Sequence, residues 1–149
     1  MTLSQKNAIA LLLDINQDIE EYADAAVKNI IEHKKYDALI YPPNAGFTEQ
    51  EKTELGKLDN NEHLKNALRK VLADNTAMVI FNMLNALDGT GAPKLKYEEW
   101  TGAKLIDEEA DENAEPFNDT LHDAFFDTYW EWRKMRGDKS WKLDTYDEK

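Results

Sequence analysis

LKNALRKVLADNTAMVIFNMLNALDGTGAP, residues 64–93, decides the reading of this chain. Leu64, Leu68, Val71 and Leu72 recur at helical spacing, and the stretch then turns apolar nearly all round with Met78, Val79, Ile80, Phe81, Met83, Leu84 and Leu87. A helix that is apolar on most faces is expected to be enclosed by others, so this one is read as the centre of the domain. It ends in DGTG, residues 88–91, which raises the question of a phosphate or metal loop. Phosphate loops converge backbone amides at the start of a helix, whereas this motif follows one and meets the negative end of its dipole. Gly91 is followed by Ala92 and Pro93 where a Walker loop needs its lysine, and Asp88 alone offers too few oxygens for calcium. Gly89 as a helix terminator followed by a turn accounts for every residue.

Outward from this helix, two more long patterns define an all-α class. Residues 4–33 carry Ile9, Leu12, Ile19, Ala23, Ala26 and Ile30 in steps of three and four, with Asn16 in the gap. Leu13, Ile15, Tyr22 and Val27 widen the stripe into a core-packing face, with Ser4 as N-cap. Pro42, Pro43 and Gly46 break the pattern, and Thr48 with Glu51 forms a capping box for a short helix stopped by Gly56. Asp59, Asn60 or Asn61 caps the central helix, and Asn118 or Asp119 caps a last helix through about Arg136 with Leu121, Phe125, Tyr129 and Trp132 inward. The expected architecture is one helical domain over 1–149: two long helices and a shorter C-terminal helix in a bundle. An irregular insertion spans 92–117, where Leu95 and Tyr97 alternate with lysines and leave hairpin and coil equally open. Trp141 and Leu143 are expected to fold back onto the body, and 144–149 to fray.

The composition works mainly by exclusion. The chain has 149 residues, a net charge of −12 and no cysteine, which removes disulfides, thiolate metal sites and thiol nucleophiles. No apolar run reaches the roughly 20 residues that cross a bilayer, and MTLSQKNAIALLLD meets its acids too soon for a signal peptide. A cytoplasmic location is the expectation. Residues 106–149 hold fourteen acidic groups against six basic ones, and DEEADENAEPFND, residues 107–119, holds seven carboxylates in thirteen positions. Such a surface repels nucleic-acid backbones and anionic membranes, so a charge-selected partner is a basic protein.

Four sets of residues are candidates for function. The acidic loop 107–117 supplies Asp107, Glu108, Glu109, Asp111, Glu112 and Glu115 for a basic partner. FFDTYWEW, residues 125–132, sets Phe126 and Trp130 about 100° away from Phe125 and Tyr129, so the last helix is either clamped between two layers or shows Phe126 and Trp130 outward. Asn75, Asn82, Asn85 and Asp88 fall in one stripe of the central helix. They read as a polar pocket joined by Asn16, or as an exposed side, or as amides that hold crossing loops. Asp119, His122 and Asp123 place an oxygen and a nitrogen ligand on one helix face, half of what a helical metal site needs.

Asp14, Asp18 and Glu21 make an acidic row on the first helix. Within DIEEYAD, Glu20, Glu21 and Asp24 resemble the EExxE element of all-helical nucleotide pyrophosphohydrolases. That family completes a magnesium site with an ExxD pair downstream, and the following helix has none. The likeness covers seven residues. Two functions follow: a small acidic, non-enzymatic binding or regulatory protein that takes a basic protein partner and needs no cofactor, or a helical metal-dependent hydrolase of nucleotides or phosphate compounds. They are separated by whether Asp14, Asp18 or Glu21 meets Asp119, His122 or Asp123.

Overall fold

A computed structural model describes residues 2–94, 99–109 and 111–146. Four α-helices follow in order: α1 (Gln5–Val27), continued by a π-helical turn over Lys28–Glu32, then α2 (Glu49–Gly56), α3 (Glu62–Leu87) and α4 (Leu121–Met135). The protein is an all-α helical bundle of two long helices and a shorter C-terminal one, and the described residues contain no strand. Among them no helix is long and apolar enough to cross a membrane. The insertion between α3 and α4 is irregular at 99–109 and 111–117, while Leu95 and Tyr97, on which the hairpin alternative rests, lie outside the described residues.

Local signals set the helix ends. At α2 both halves of the capping box form: Thr48 Oγ1 accepts from Glu51 N at 3.3 Å, and Glu51 Oε2 accepts from Thr48 N at 2.7 Å. At α3 the Asn61 side chain accepts from Leu64 N at 2.8 Å. Gly89 sits at φ +75°, and the Thr90 and Gly91 amides both donate to Asn85 O at 3.0 Å, so DGTG is a helix cap and turn.

The chain divides into two compact units. One is Met1–Ile19 with Asn75–Gly137, and its core is Ala8, Leu12 and Ile19 of α1, Leu84 of α3, and Leu121, Ala124 and Phe125 of α4. Asn16 is buried here, its Nδ2 donating to Leu12 O at 2.9 Å, Phe125 O at 3.3 Å and Thr128 Oγ1 at 3.2 Å. An amide thus ties α1 to α4 in the middle of the apolar contact. Residues 2–5 are stitched to the insertion: Ser4 pairs with Pro116 as an antiparallel bridge, Phe117 N donates to Leu3 O, and Gln5 N donates to Glu115 O.

The other unit is Glu20–Asp74 with Asp138–Lys149. Its apolar core of Ala23, Val27, Ile31 and Ala73 is small and is backed by two buried cations of α3. Lys65 meets Glu32 at 2.7 Å and Glu62 at 2.5 Å. Arg69 grips Asp24 Oδ1 through Nε at 2.7 Å and Nη2 at 2.6 Å, bonds Asn66, and lays its guanidinium 4.6 Å from the Trp141 ring centre. Trp141 and Leu143 are half-buried, as folding back requires. Of the tail expected to fray, Asp144 accepts from Tyr146 N, and 147–149 lie outside the described residues.

Two expectations are corrected. The buried row of α1 is Ala8, Leu12, Asn16, Ile19, Ala23, Val27 and Ile31, and Tyr22 stands 73 % exposed. Successive steps of four advance the row by about 40° each, which carries it from Ala26 and Ile30 to Val27 and Ile31. More consequential, α3 is not the enclosed centre. Val79 is 68 % exposed, Met83 48 % and Met78 45 %, while Leu84 is the one residue of α3 in this unit to be fully buried. With α1 and α4 as the long elements beside it, one face of α3 is packed. Its opposite apolar face is left open.

Candidate functional site

The acidic loop divides into a structural part and a free-standing part. Asp107 Oδ1 accepts from Ser4 N at 3.1 Å, and the Asn7 side chain followed by the Ser4 amide and hydroxyl hold its carboxyl below the ordinary carboxylate range. Asp107 therefore pins the first turn of α1. Glu108, Glu109, Asp111, Glu112 and Glu115 are exposed. Glu109, Asp111 and Glu112 join Asp107 around a hollow of about 110 Å³ floored by Ser4 and Pro116. Their mutual repulsion raises the local preference for a cation.

The outer face of α4 pairs aromatics with carboxylates. Phe126 is 49 % and Trp130 39 % exposed, four residues apart on one side of the helix. Phe126 is supported from beneath by Phe81 and Phe125, with ring centres at 5.3 and 5.2 Å, and Trp130 by Tyr129 at 5.1 Å. Asp123, Asp127 and Glu131 follow alongside at the same four-residue spacing, all exposed. Of the two arrangements open for FFDTYWEW, the outward one is present.

The start of α4 is held from across the unit. Thr120 is the N-cap but makes no side-chain cap bond, and Asp119 accepts from Thr120 N instead of capping the helix as expected. Asp88 takes that role: Oδ1 accepts from Leu121 N at 3.1 Å and Oδ2 from His122 N at 2.9 Å. The same Oδ2 lies 2.6 Å from His122 Nδ1, which favours the proton on that nitrogen. Nε2 is 3.7 Å from Asp123 Oδ1, and the ring stands edge-on to Phe81. The local sequence around Thr120 holds no sign of this cap, since its donor of negative charge is over thirty residues away.

The three metal candidates are thus each engaged in shaping this helix end. Among the described residues no group of three or more histidines and carboxylates is placed to hold a metal ion. Asp14, Asp18 and Glu21 are exposed on α1 and form no such group with Asp119, His122 or Asp123. Of the residues resembling the pyrophosphohydrolase element, Glu20 is buried and Asp24 is committed to Arg69 and Lys28.

The asparagine stripe does not gather into one pocket. Asn75 and Asn82 are exposed, and Asn82 Nδ2 returns to Met78 O at 2.9 Å. Asn85 is half-buried, donates to Phe81 O and accepts from Thr90 Oγ1 at 2.8 Å, fixing the turn after α3. Asn16 and Asp88 serve α4 from two different places. Asn82 and Asn85 do line an open groove of about 690 Å³, with Val79, Phe81, Met83 and Pro93. Sequence reasoning missed this groove because it took α3 to be enclosed. Compared with known protein families, with curated proteins and with solved structures, the chain matches none.

Proposed function

We propose that this chain is a small acidic, non-enzymatic binding protein that engages a basic protein partner, in a cytoplasmic setting consistent with its lack of cysteine. The observation that carries the reading is the outer face of α4. Phe126 and Trp130 are 49 % and 39 % exposed against the neighbouring rings of Phe81, Phe125 and Tyr129, beside the carboxylates of Asp123, Asp127 and Glu131 and with Arg133 over the Trp130 ring. Pre-positioned aromatics are the residue type that carries most binding energy at protein interfaces, and carboxylates beside them select a cationic surface and speed encounter with it. The exposed acids of 108–115 add to the negative charge available to a basic partner.

The test is capture of basic proteins from host lysate on the immobilised chain, with elution by salt, run beside two variants. One carries Phe126→Ser and Trp130→Ser; the other replaces Glu108, Glu109, Asp111, Glu112 and Glu115 by their amides and keeps Asp107. A defined basic protein retained by the wild type, weakened by both variants and released at moderate salt, is the expected result. Retention of no basic protein, or retention that both variants leave unchanged, overturns the reading.

A further inference from the structure

We infer that the open face of α3 and the aromatic row of α4 form one docking surface for an amphipathic helical segment with a basic flank. This rests on the binding role proposed above and specifies the form of the partner. Phe81 joins the two parts: its ring contacts Phe126 and it also lines the 690 Å³ groove beside Val79, Met83 and Ala86. Phe81 therefore connects Phe126 of α4 to a mixed trough in which Val79, Met83, Ala86 and Pro93 lie beside the amides of Asn82 and Asn85.

The distribution of charge selects the occupant. The groove itself is lined by uncharged residues apart from Lys94, whereas on the α4 side Asp123, Asp127 and Glu131 stand in a row and the Arg133 guanidinium lies 5.9 Å from the Trp130 ring centre. A ligand that fits must carry its cations on the flank toward Asp123 and Asp127, in the first half of α4, and keep cations away from Lys94 and Arg133. Residues four apart on a helix lie about 6 Å apart along its axis, so the Asp123–Asp127 step matches lysines or arginines at i and i+4 of a helix lying alongside α4. Apolar side chains at i, i+3 and i+7 of such a helix would enter the trough, the helix-in-groove mode of recognition. A second copy of this chain is a poor match, because it would bring its own acidic row to the same place in a molecule of net charge −12.

The probe is a synthetic 18-residue peptide of leucine and lysine, with leucines on one helical face and lysines at i, i+4 on one flank, titrated into the full chain. A peptide of the same composition with the order scrambled serves as control. Backbone amide shifts should move at 78–94 of α3 and its turn and at 123–131 of α4, and the peptide should gain helical circular dichroism. Val79→Ser with Met83→Ser, and separately Phe126→Ser, should each weaken binding about tenfold. Asp123→Asn with Asp127→Asn should weaken it several-fold and flatten its salt dependence. Equal binding of the scrambled peptide, or shifts confined to 107–115, overturns the inference. So does a wild-type dimer that the Val79→Ser, Met83→Ser pair dissociates. If a basic protein is captured from lysate yet the α3 pair leaves its retention unchanged, this inference fails while the binding role stands. If no basic protein is captured, the binding role itself fails.

Discussion

The Asp88 carboxylate lies 2.6 Å from His122 Nδ1 while accepting the backbone amides of Leu121 and His122, so one side chain at the end of α3 both starts α4 and orients its first ring. A helix leaves its first amides without partners, and here a residue from another helix supplies them. Asp88→Ala should lower the stability of this unit by about 1–3 kcal/mol, the sum expected for a lost cap and a charge-assisted bond. Thr120→Ala, at the nominal cap, should cost about 0.5 kcal/mol or less. Urea unfolding followed by circular dichroism measures both, and equal costs would show that Asp88 is not the functional cap.

Arg69 should tolerate no other cation in its place. Its planar fork holds Asp24 and Asn66 and its face covers Trp141, three contacts that a lysine cannot reproduce together. Arg69→Met should cost about 3 kcal/mol, because Asp24 is left mostly buried beside Lys28 alone. Arg69→Lys should fall between the two and shift tryptophan emission as the Trp141 ring loses its cover. Wild-type emission and stability in the lysine variant would count against this account.

Acid should loosen both units through different residues. Asp107 is held below its ordinary range by Asn7 and Ser4, and Glu32 by the hydrogen bond from Lys65. A carboxyl depressed on folding contributes stability above its unfolded pKa and loses it as pH falls through the folded value. The Lys65 amine is raised by Glu32 and Glu62, so its share persists below the ordinary lysine value and is lost only as pH climbs through the raised one. Urea midpoints should therefore hold steady near neutrality and fall in the acid range below about pH 4. Asp107→Asn should lower the midpoint at pH 7 and flatten that acid slope, and an unchanged slope would remove Asp107 from the explanation.

Tyr36 offers the opposite case. Its hydroxyl is buried without a hydrogen-bond partner, while its ring meets Phe47 edge-on at 6.4 Å between centres. Tyr36→Phe keeps the ring contact and removes an unsatisfied group, so stability should stay level or rise by up to about 1 kcal/mol. A clear loss in thermal or urea melting would mean that the hydroxyl has a partner in solution.

How much of this was legible in the sequence follows the range of the interactions involved. The Thr48–Glu51 capping box and the Asn61 cap depend on residues three positions apart and the Gly89 stop on residues no more than six apart, and each can be read from its neighbours. The outward turn of Phe126 and Trp130 was open from helical phase alone, and needed the burial of Phe125 to resolve it. The exposure of Val79 and Met83 could not be read, because hydrophobicity reports what a helix would bury and says nothing about how many helices are there to bury it. Asp88 capping α4 and Asp107 pinning Ser4 join residues 33 and 103 apart, beyond any local pattern.

The clasp at residues 2–5 has a consequence for how the chain is made. Leu3, Ser4 and Gln5 find their partners at Phe117, Asp107, Pro116 and Glu115, so during synthesis these three wait for more than a hundred later residues before they are held. The unit built from Glu20–Asp74 is translated almost whole in that interval, interrupting the one to which residues 3–5 belong. Closing so long a stretch carries an entropic cost that slows assembly. On a ribosome, the inner row of Ala8, Leu12 and Ile19 therefore lacks its Leu121, Ala124 and Phe125 partners until α4 emerges, which leaves that row open to a chaperone in the interval.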